Sequence, residues 1–155
     1  MKKPVVLLAI LLISVFASAQ GINFSGSWKL NSSKSKLGDQ FSMAPKEIIV
    51  TQNGNNLNIE KHSEFQGQTY TSTDKLTLDG KECINAGFMD SEKKSTAVWS
   101  GDKKSLKISS KIPVQGETMT IVEMYKMDGS SLVIEASASS SYGDMAETMV
   151  YDKKP

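Results

Sequence analysis

The amino-acid sequence predicts an all-β protein, folded as a single antiparallel up-and-down β-barrel of about eight to ten strands. Three observations lead to this fold class. Apolar residues alternate with polar ones along most of the chain, and a period of two indicates half-buried strands. Pairs of Asn, Asp and Gly, as in Asn53-Gly54 and Asp128-Gly129, separate these segments and suit tight hairpin turns. A meander of this length has two exposed edges, and closure into a barrel removes them.

The strands are expected to follow one another with short turns between them, so that neighbours pair antiparallel. No segment shows the periodicity of a helix of ordinary length. The alternation and the turn residues together predict strands over 24–31, 46–52, 56–63, 68–78, 81–88, 94–100, 104–112, 116–127, 131–139 and 145–152.

A weak internal repeat marks three of the hairpins. A large apolar residue (Val50, Trp99 or Tyr125) precedes a turn opened by Asn or Asp. The next strand then carries the pattern Leu-x-Ile, at Leu57 and Ile59, Leu106 and Ile108, and Leu132 and Ile134. We interpret the repeat as hairpin chemistry used three times, with a repeated binding unit as the alternative. These six Leu and Ile residues are candidates to line the barrel interior, either contacting a ligand or filling the core.

The long connection after the first strand interrupts the alternation. Residues 32–45 begin with Ser and Lys and then carry the isolated apolar residues Leu37, Phe41 and Met43. Long loops in compact domains often act as lids. Phe41 and Met43 are therefore candidate ligand-binding residues over a cavity mouth, and a surface loop pinned by Phe41 is the alternative.

The N-terminus has the pattern of a secretory signal peptide. Two lysines precede an apolar run from Val5 to Phe16, and small residues follow it at the positions that suit a signal peptidase. The run is too short to span a bilayer comfortably, and no second hydrophobic stretch follows it. Gln20 stands where a lipoprotein would need a cysteine. We expect residues 1–19 to be a cleaved signal, residues 20–155 to form the barrel domain, and the product to be periplasmic or secreted.

Charge and cysteine content narrow the classes of partner. The chain has a net charge of +1, and loss of the two N-terminal lysines would leave it close to neutral, which disfavours nucleic acid and anionic membranes. The sequence contains no Arg, so the planar clamp for carboxylate or phosphate is missing. Cys83 is the only cysteine and cannot form an intramolecular disulfide. We interpret Cys83 as a small buried hydrophobe, with a reactive thiol as the alternative.

Few side chains suggest a reaction. Glu60, His62 and Glu64 alternate along one strand and share a face, where two carboxylates beside an imidazole would suit a general base or a metal site. The apolar residues lie on the opposite face, so this row is expected to face water. No serine is placed beside His62 as in a hydrolytic triad, and no glycine-rich phosphate cradle opens a helix. The sequence therefore predicts no catalytic residue, no metal site and no cofactor.

A resemblance to a known family rests on the start of the first predicted strand. Gly26-x-Trp28, within Phe24-Ser-Gly-Ser-Trp-Lys-Leu30, resembles the G-x-W signature of the lipocalins and the wider calycin families. With the export signal, the domain size, the meander and the long connection, the chain is similar to small lipocalin-like secreted proteins of bacteria. The resemblance implies that Gly26 lets the chain enter the barrel tightly and that Trp28 closes its base. It also implies that neither residue touches ligand.

The sequence departs from that family in its cationic residues. Typical lipocalins stack an Arg from a late strand over the Trp, and Lys153 or Lys154 is the candidate substitute here. The Arg and Tyr set with which fatty-acid-binding relatives hold a carboxylate is also missing. The predicted function is a non-enzymatic binding protein that holds a small apolar or amphipathic ligand. The alternative is an interaction or structural module of the envelope, with a filled barrel and no ligand.

Overall fold

The computed structural model describes residues 21–155, which form one antiparallel sheet of ten strands. The predicted signal, residues 1–19, lies outside the described residues. A 3-10 turn at Phe88–Asp90 is the one helical element between residues 21 and 155, and no helix there is long and apolar enough to cross a bilayer. The strands are β1 (Gly26–Leu30), β2 (Glu47–Asn53), β3 (Asn56–Phe65), β4 (Gln68–Thr77), β5 (Cys83–Ala86), β6 (Glu92–Trp99), β7 (Ser105–Val114), β8 (Glu117–Asp128), β9 (Ser131–Ser140) and β10 (Gly143–Lys153).

Strands β1 to β4 pair in sequence order, as do strands β5 to β10, and the first strand also pairs with the last. β1 joins β10 with Trp28 opposite Lys153 and Leu30 opposite Tyr151. The sheet order is β4-β3-β2-β1-β10-β9-β8-β7-β6-β5, so the sheet curls into a nearly closed up-and-down barrel. The predicted fold class is confirmed, and every predicted strand end falls within two residues of the observed one.

The seam of the barrel lies between β4 and β5, which share no backbone ladder. Side chains of the short strand β5 close part of it. Asn85 bonds to the backbone of Lys75 on β4. The sulfur of Cys83 lies 3.6 Å from Oγ1 of Thr77 and the residue packs, partly buried, against the core.

One end of the barrel, the closed end, is filled by large apolar side chains. The turn pairs of Asn, Asp and Gly all lie at this end, because they follow the even-numbered strands β2, β4, β6 and β8: Asn53-Gly54, Asp79-Gly80, Gly101-Asp102 and Asp128-Gly129. The three repeated hairpin corners therefore meet in one core. Its buried members include Phe24, Trp28, Val50, Leu57, Ile59, Leu106, Ile108, Tyr125, Leu132 and Ile134.

Trp28 and Gly26 lie at the closed end, beside the last strand. The indole Nε1 of Trp28 donates a 2.9 Å hydrogen bond to the carbonyl of Phe24, which satisfies its one polar atom. Gly26 has a φ of +151°, and a Cβ added there would lie 3.1 Å from Cε of Lys153. Nζ of Lys153 lies 5.7 Å from the centroid of the indole ring. Of the two lysines proposed as substitutes for the missing Arg, Lys153 is the one over the tryptophan.

Candidate functional site

A cavity of about 190 Å³ lies inside the barrel, between the closed-end core and the connection that links β1 to β2. We call it the lumen cavity. Seven strands and two residues of the connection contribute to its wall. Its polar lining residues are Lys61, Ser63, Ser72, Lys93, Ser110 and Glu123, and its apolar ones are Met43, Pro45, Ile121, Ala136 and Met149. The cavity is therefore amphipathic.

The inner face of the barrel changes from apolar to polar along several strands. On β3, Leu57 and Ile59 point into the core, and Lys61 is the next residue on the same face because side chains alternate. On β8, buried Tyr125 is followed towards the cavity by Glu123. The register places Ile59 opposite Asp74 of β4, so a carboxylate reaches the same layer. The sequence thus builds a polar layer directly above the apolar core.

Two lysines and two carboxylates of this layer form a buried ionic cluster. Nζ of Lys61 lies 2.7 Å from Oε1 of Glu123 and 3.8 Å from Oδ2 of Asp74. Lys93 pairs with the other carboxylate oxygen of Asp74. The four side chains are between 6% and 14% exposed. Each charge has an opposite partner, as burial in a low-dielectric interior requires.

The cluster keeps Lys61 charged and a neighbouring phenol neutral. Burial lowers the pKa of the Lys61 ammonium, but the attraction of Glu123 and Asp74 outweighs it and raises that pKa above its ordinary value. Burial, followed by the negative charges of Glu123 and Asp74, raises the pKa of the Tyr125 phenol well above its ordinary value. The hydroxyl of Tyr125 is therefore an uncharged polar group buried beside the cluster.

The connection between β1 and β2 is fastened over the lumen cavity by β10. The carboxylate of Glu147, on the inner face of β10, accepts hydrogen bonds from the N–H of Gly38 at 2.8 Å and of Met43 at 3.2 Å. The hydroxyl of Tyr151 donates to the carbonyl of Pro45 at 3.1 Å. These bonds place Met43 and Pro45 in the cavity wall.

The ligand-binding residues predicted from the sequence fall into different places. Met43 lines the lumen cavity. Phe41 is 51% exposed and packs edge-on against Phe65, with ring centroids 6.5 Å apart. The other six are at most 2% exposed and belong to the closed-end core, beneath the cavity: Leu57, Ile59, Leu106, Ile108, Leu132 and Ile134. Their contact with a ligand stays a prediction.

The charged residues of the lumen cavity were missed by the sequence analysis. The signal that would have found Lys61 is the alternation itself, since Leu57, Ile59 and Lys61 follow at a period of two. Sequence alone does not show that Glu123 faces it from the other side of the barrel.

The row of Glu60, His62 and Glu64 lies on the outer face of β3. Nε2 of His62 is 2.7 Å from Oε1 of Glu60, and Nδ1 is 3.2 Å from Oγ1 of Thr71. The side chains of His62 and Glu60 are 30% and 37% exposed. The row faces away from the lumen cavity, in agreement with the expectation that it faces water, and it has no enclosed site for a reaction.

Comparison with known proteins identifies the fold. No protein-family model matches the sequence, and no curated protein matches it. A zebrafish ileal bile acid-binding protein complexed with cholic acid has a TM-score of 0.59 and 17% identity, over 84% of this chain and 98% of that one. An abundant heat-soluble protein from Ramazzottius varieornatus has a TM-score of 0.63 and 17% identity, over 84% of this chain and 95% of that one. A Schistosoma mansoni fatty acid binding protein in complex with arachidonic acid has a TM-score of 0.51 and 17% identity, over 85% of this chain and 96% of that one. The chain therefore has a calycin-like barrel fold.

Proposed function

We propose that this protein is an exported, non-enzymatic binding protein that holds a small amphipathic molecule in its barrel. The observation that carries the proposal is the lumen cavity, whose wall is built by seven strands and the connection and is lined on one part by charged and hydroxyl groups and on another by apolar ones. A molecule with one polar end and one apolar part satisfies both kinds of lining. Two of the similar structures are complexes with amphipathic molecules, cholic acid and arachidonic acid, which supports an amphipathic ligand here.

The size of the cavity favours ligand binding over a filled barrel. A structural module with a solid interior is expected to leave space for no more than one or two waters, each occupying about 30 Å³. The lumen cavity, at about 190 Å³, is several times larger than one water. It is also smaller than the roughly 300–1,000 Å³ of pockets for drug-sized molecules. The ligand is therefore small, or it displaces the connection that carries Phe41 and Met43.

Native mass spectrometry of the protein purified from its own host tests the proposal. Ala136 is buried in the cavity wall, whereas Ala146 is exposed on the outer face of the neighbouring strand. Ala136→Phe fills the lumen cavity and Ala146→Phe is its matched control. We expect a small-molecule adduct on the wild type and on Ala146→Phe, and none on Ala136→Phe. A wild type without an adduct, or an adduct that survives in Ala136→Phe, would overturn the proposal.

The same mass measurement tests export. The proposal that residues 1–19 are removed rests on the basic start, the short apolar run and the small residues after it. We expect the purified protein to begin at Gln20, or at the pyroglutamate that Gln20 forms. A chain that retains residues 1–19 would contradict export by this route.

A further inference from the structure

The charges inside the barrel are paired with one another and sum to a negative value. Among residues 21–155, five charged side chains lie on the inner face and are largely buried: Lys61, Lys93, Asp74, Glu123 and Glu147. The two lysines are engaged by Asp74 and Glu123. Glu147 is engaged by two backbone N–H groups of the connection. No cation among these five is left over to receive an anionic ligand, and carboxylates outnumber lysines by one.

An anionic head group would therefore find both lysines of the lumen cavity already paired. To pair with Lys61 it would have to displace Glu123, which lies 2.7 Å away and is itself buried. The displaced carboxylate would keep its desolvation cost without its partner. A head group that stayed unpaired would be a buried charge without a partner, because both lysines of the cavity wall already pair with carboxylates.

A cationic head group meets the opposite obstacle. The excess carboxylate is that of Glu147, and both of its oxygens already accept hydrogen bonds from Gly38 and Met43. The carboxylates of Asp74 and Glu123 already pair with Lys93 and Lys61. The positive charges of these lysines repel a cationic head group that approaches either carboxylate.

An uncharged polar head group disturbs none of these pairs. Ser63, Ser72 and Ser110 line the lumen cavity, and a hydroxyl can both donate and accept hydrogen bonds. The hydroxyl of Ser110 already shares one bond, of 2.7 Å, with that of Ser95, so Ser63 and Ser72 are the main partners offered to a ligand. Met43, Ile121 and Met149 supply an apolar wall for the rest of the molecule. The cavity thus offers neutral polar partners that a hydroxyl, carbonyl or amide can use without separating buried charges.

We propose that the lumen cavity selects uncharged amphipathic molecules and excludes carboxylates, an inference that rests on the proposed binding function. The ligand class is thereby distinct from the carboxylic acids held by two of the similar structures. The chemistry expected of the ligand is a single hydroxyl, carbonyl or amide head on a short apolar body.

Calorimetric titration with octanol, octanoate and octylamine at pH 7.5 tests this selectivity on the wild-type protein. The three molecules share one apolar chain and differ in the charge of the head. We expect octanol to bind at least about tenfold more tightly than either ion, because a buried unpaired charge is strongly disfavoured. Octanoate or octylamine binding as tightly as octanol would overturn the selectivity alone. Failure of all three to bind would overturn the binding function itself.

A substitution in the cluster tests the cause of the selectivity. Glu123→Gln removes one negative charge with little change in shape and leaves Lys61 able to pair with a ligand carboxylate. We expect octanoate to bind at least about tenfold more tightly than to the wild type, with octanol within about threefold. Glu135→Gln, on the outer face of β9 and 51% exposed, is the matched control and should change neither affinity.

The outcome of the substitution separates charge from shape. Unchanged octanoate affinity in a folded Glu123→Gln protein would overturn the role of the cluster. Circular dichroism melting establishes that the variant is folded. If it is not folded, Asp74→Asn removes a carboxylate from the same cluster and is expected to increase octanoate affinity in the same way. The titration of the wild-type protein tests the selectivity without either variant.

Discussion

Asn85 spans the seam of the barrel by bonding both backbone groups of Lys75. Its Oδ1 accepts a hydrogen bond from the N–H of Lys75 at 2.8 Å, and its Nδ2 donates one to the carbonyl of the same residue at 3.1 Å. A side-chain amide has the donor and acceptor of a peptide group, so Asn85 provides one rung of a ladder that the backbones of β4 and β5 do not make. The backbone N–H and carbonyl of Lys75, at the edge of β4, thereby have partners on β5.

We predict that Asn85→Ala loosens the seam. Two hydrogen bonds are lost, and each contributes about 0.5–1.5 kcal/mol, so the free energy of unfolding should fall by about 1–3 kcal/mol. Amide exchange at Lys75 should accelerate. Lys75→Ala is the matched control, because it removes the side chain and leaves the backbone groups that Asn85 binds. Equal stability of Asn85→Ala and the wild type would show that the bridge does not hold the seam.

Glu147→Gln is predicted to loosen the connection over the lumen cavity. The amide keeps one acceptor oxygen and turns a donor towards the second N–H, so one of the bonds to Gly38 and Met43 is lost and a buried donor is left unpaired. The cost is about 1–3 kcal/mol. Hydrogen exchange at these two amides should accelerate. Asp144→Asn, on the outer face of β10, should leave exchange there unchanged, and protection that persists in Glu147→Gln would contradict the role of the carboxylate.

The contact between Lys153 and Trp28 gives a prediction about the closed end. Lys153→Met removes the charge above the indole and should lower the free energy of unfolding by about 0.5–1 kcal/mol. Lys153→Arg should preserve or increase stability, because a guanidinium stacks well on an aromatic face. Urea denaturation measures both. Octanol affinity should stay constant, since the contact lies away from the lumen cavity, and a change in affinity would contradict that separation.

Alkaline pH is predicted to destabilise the barrel. Burial and neighbouring negative charges raise the pKa of the phenols of Tyr125 and Tyr151, and the attraction of Glu123 and Asp74 raises that of Lys61 despite its burial. The folded state therefore binds these protons more tightly than the unfolded chain, in which the three groups deprotonate at about pH 10. Their contribution to stability is complete below about pH 10 and is lost as the pH rises above it.

Urea denaturation between pH 8 and pH 11 measures this loss, with phenolate absorbance recorded on the same samples. We expect Tyr151→Phe to reduce the slope of stability against pH, because it removes a buried phenol whose pKa is raised. A stability that is constant through pH 11 would contradict the assignment of these groups.

The fold could be predicted from local signals because an up-and-down barrel is made of local pairs. Each hairpin needs only alternation on two adjacent segments and a turn between them. Closure of the first strand on the last followed from the need to remove edges. The seam did not follow, because the short length of β5 and the bridge from Asn85 depend on how two distant halves of the sheet meet.

The candidate site could be predicted only in part. Met43 was found because a long connection with isolated apolar residues suggests a lid, and it does line the lumen cavity. Lys61, Asp74, Lys93 and Glu123 were not found, because a charged residue at the end of an apolar alternation is normally solvated. The bond between Lys61 and Glu123 joins residues 62 positions apart in sequence, and such a pairing has no local signature.

The methionines of this chain offer the most direct test that the lumen cavity is the binding site. Met43 and Met149 line the cavity, whereas Met124 lies on the outer face of β8 and Met89 is 83% exposed. Methyl NMR of methionine-labelled protein titrated with octanol reports on all four positions at once. We predict saturable shifts of the Met43 and Met149 resonances, with those of Met89 and Met124 unchanged. Saturation that leaves the two lumen methyls unmoved would contradict binding in the barrel.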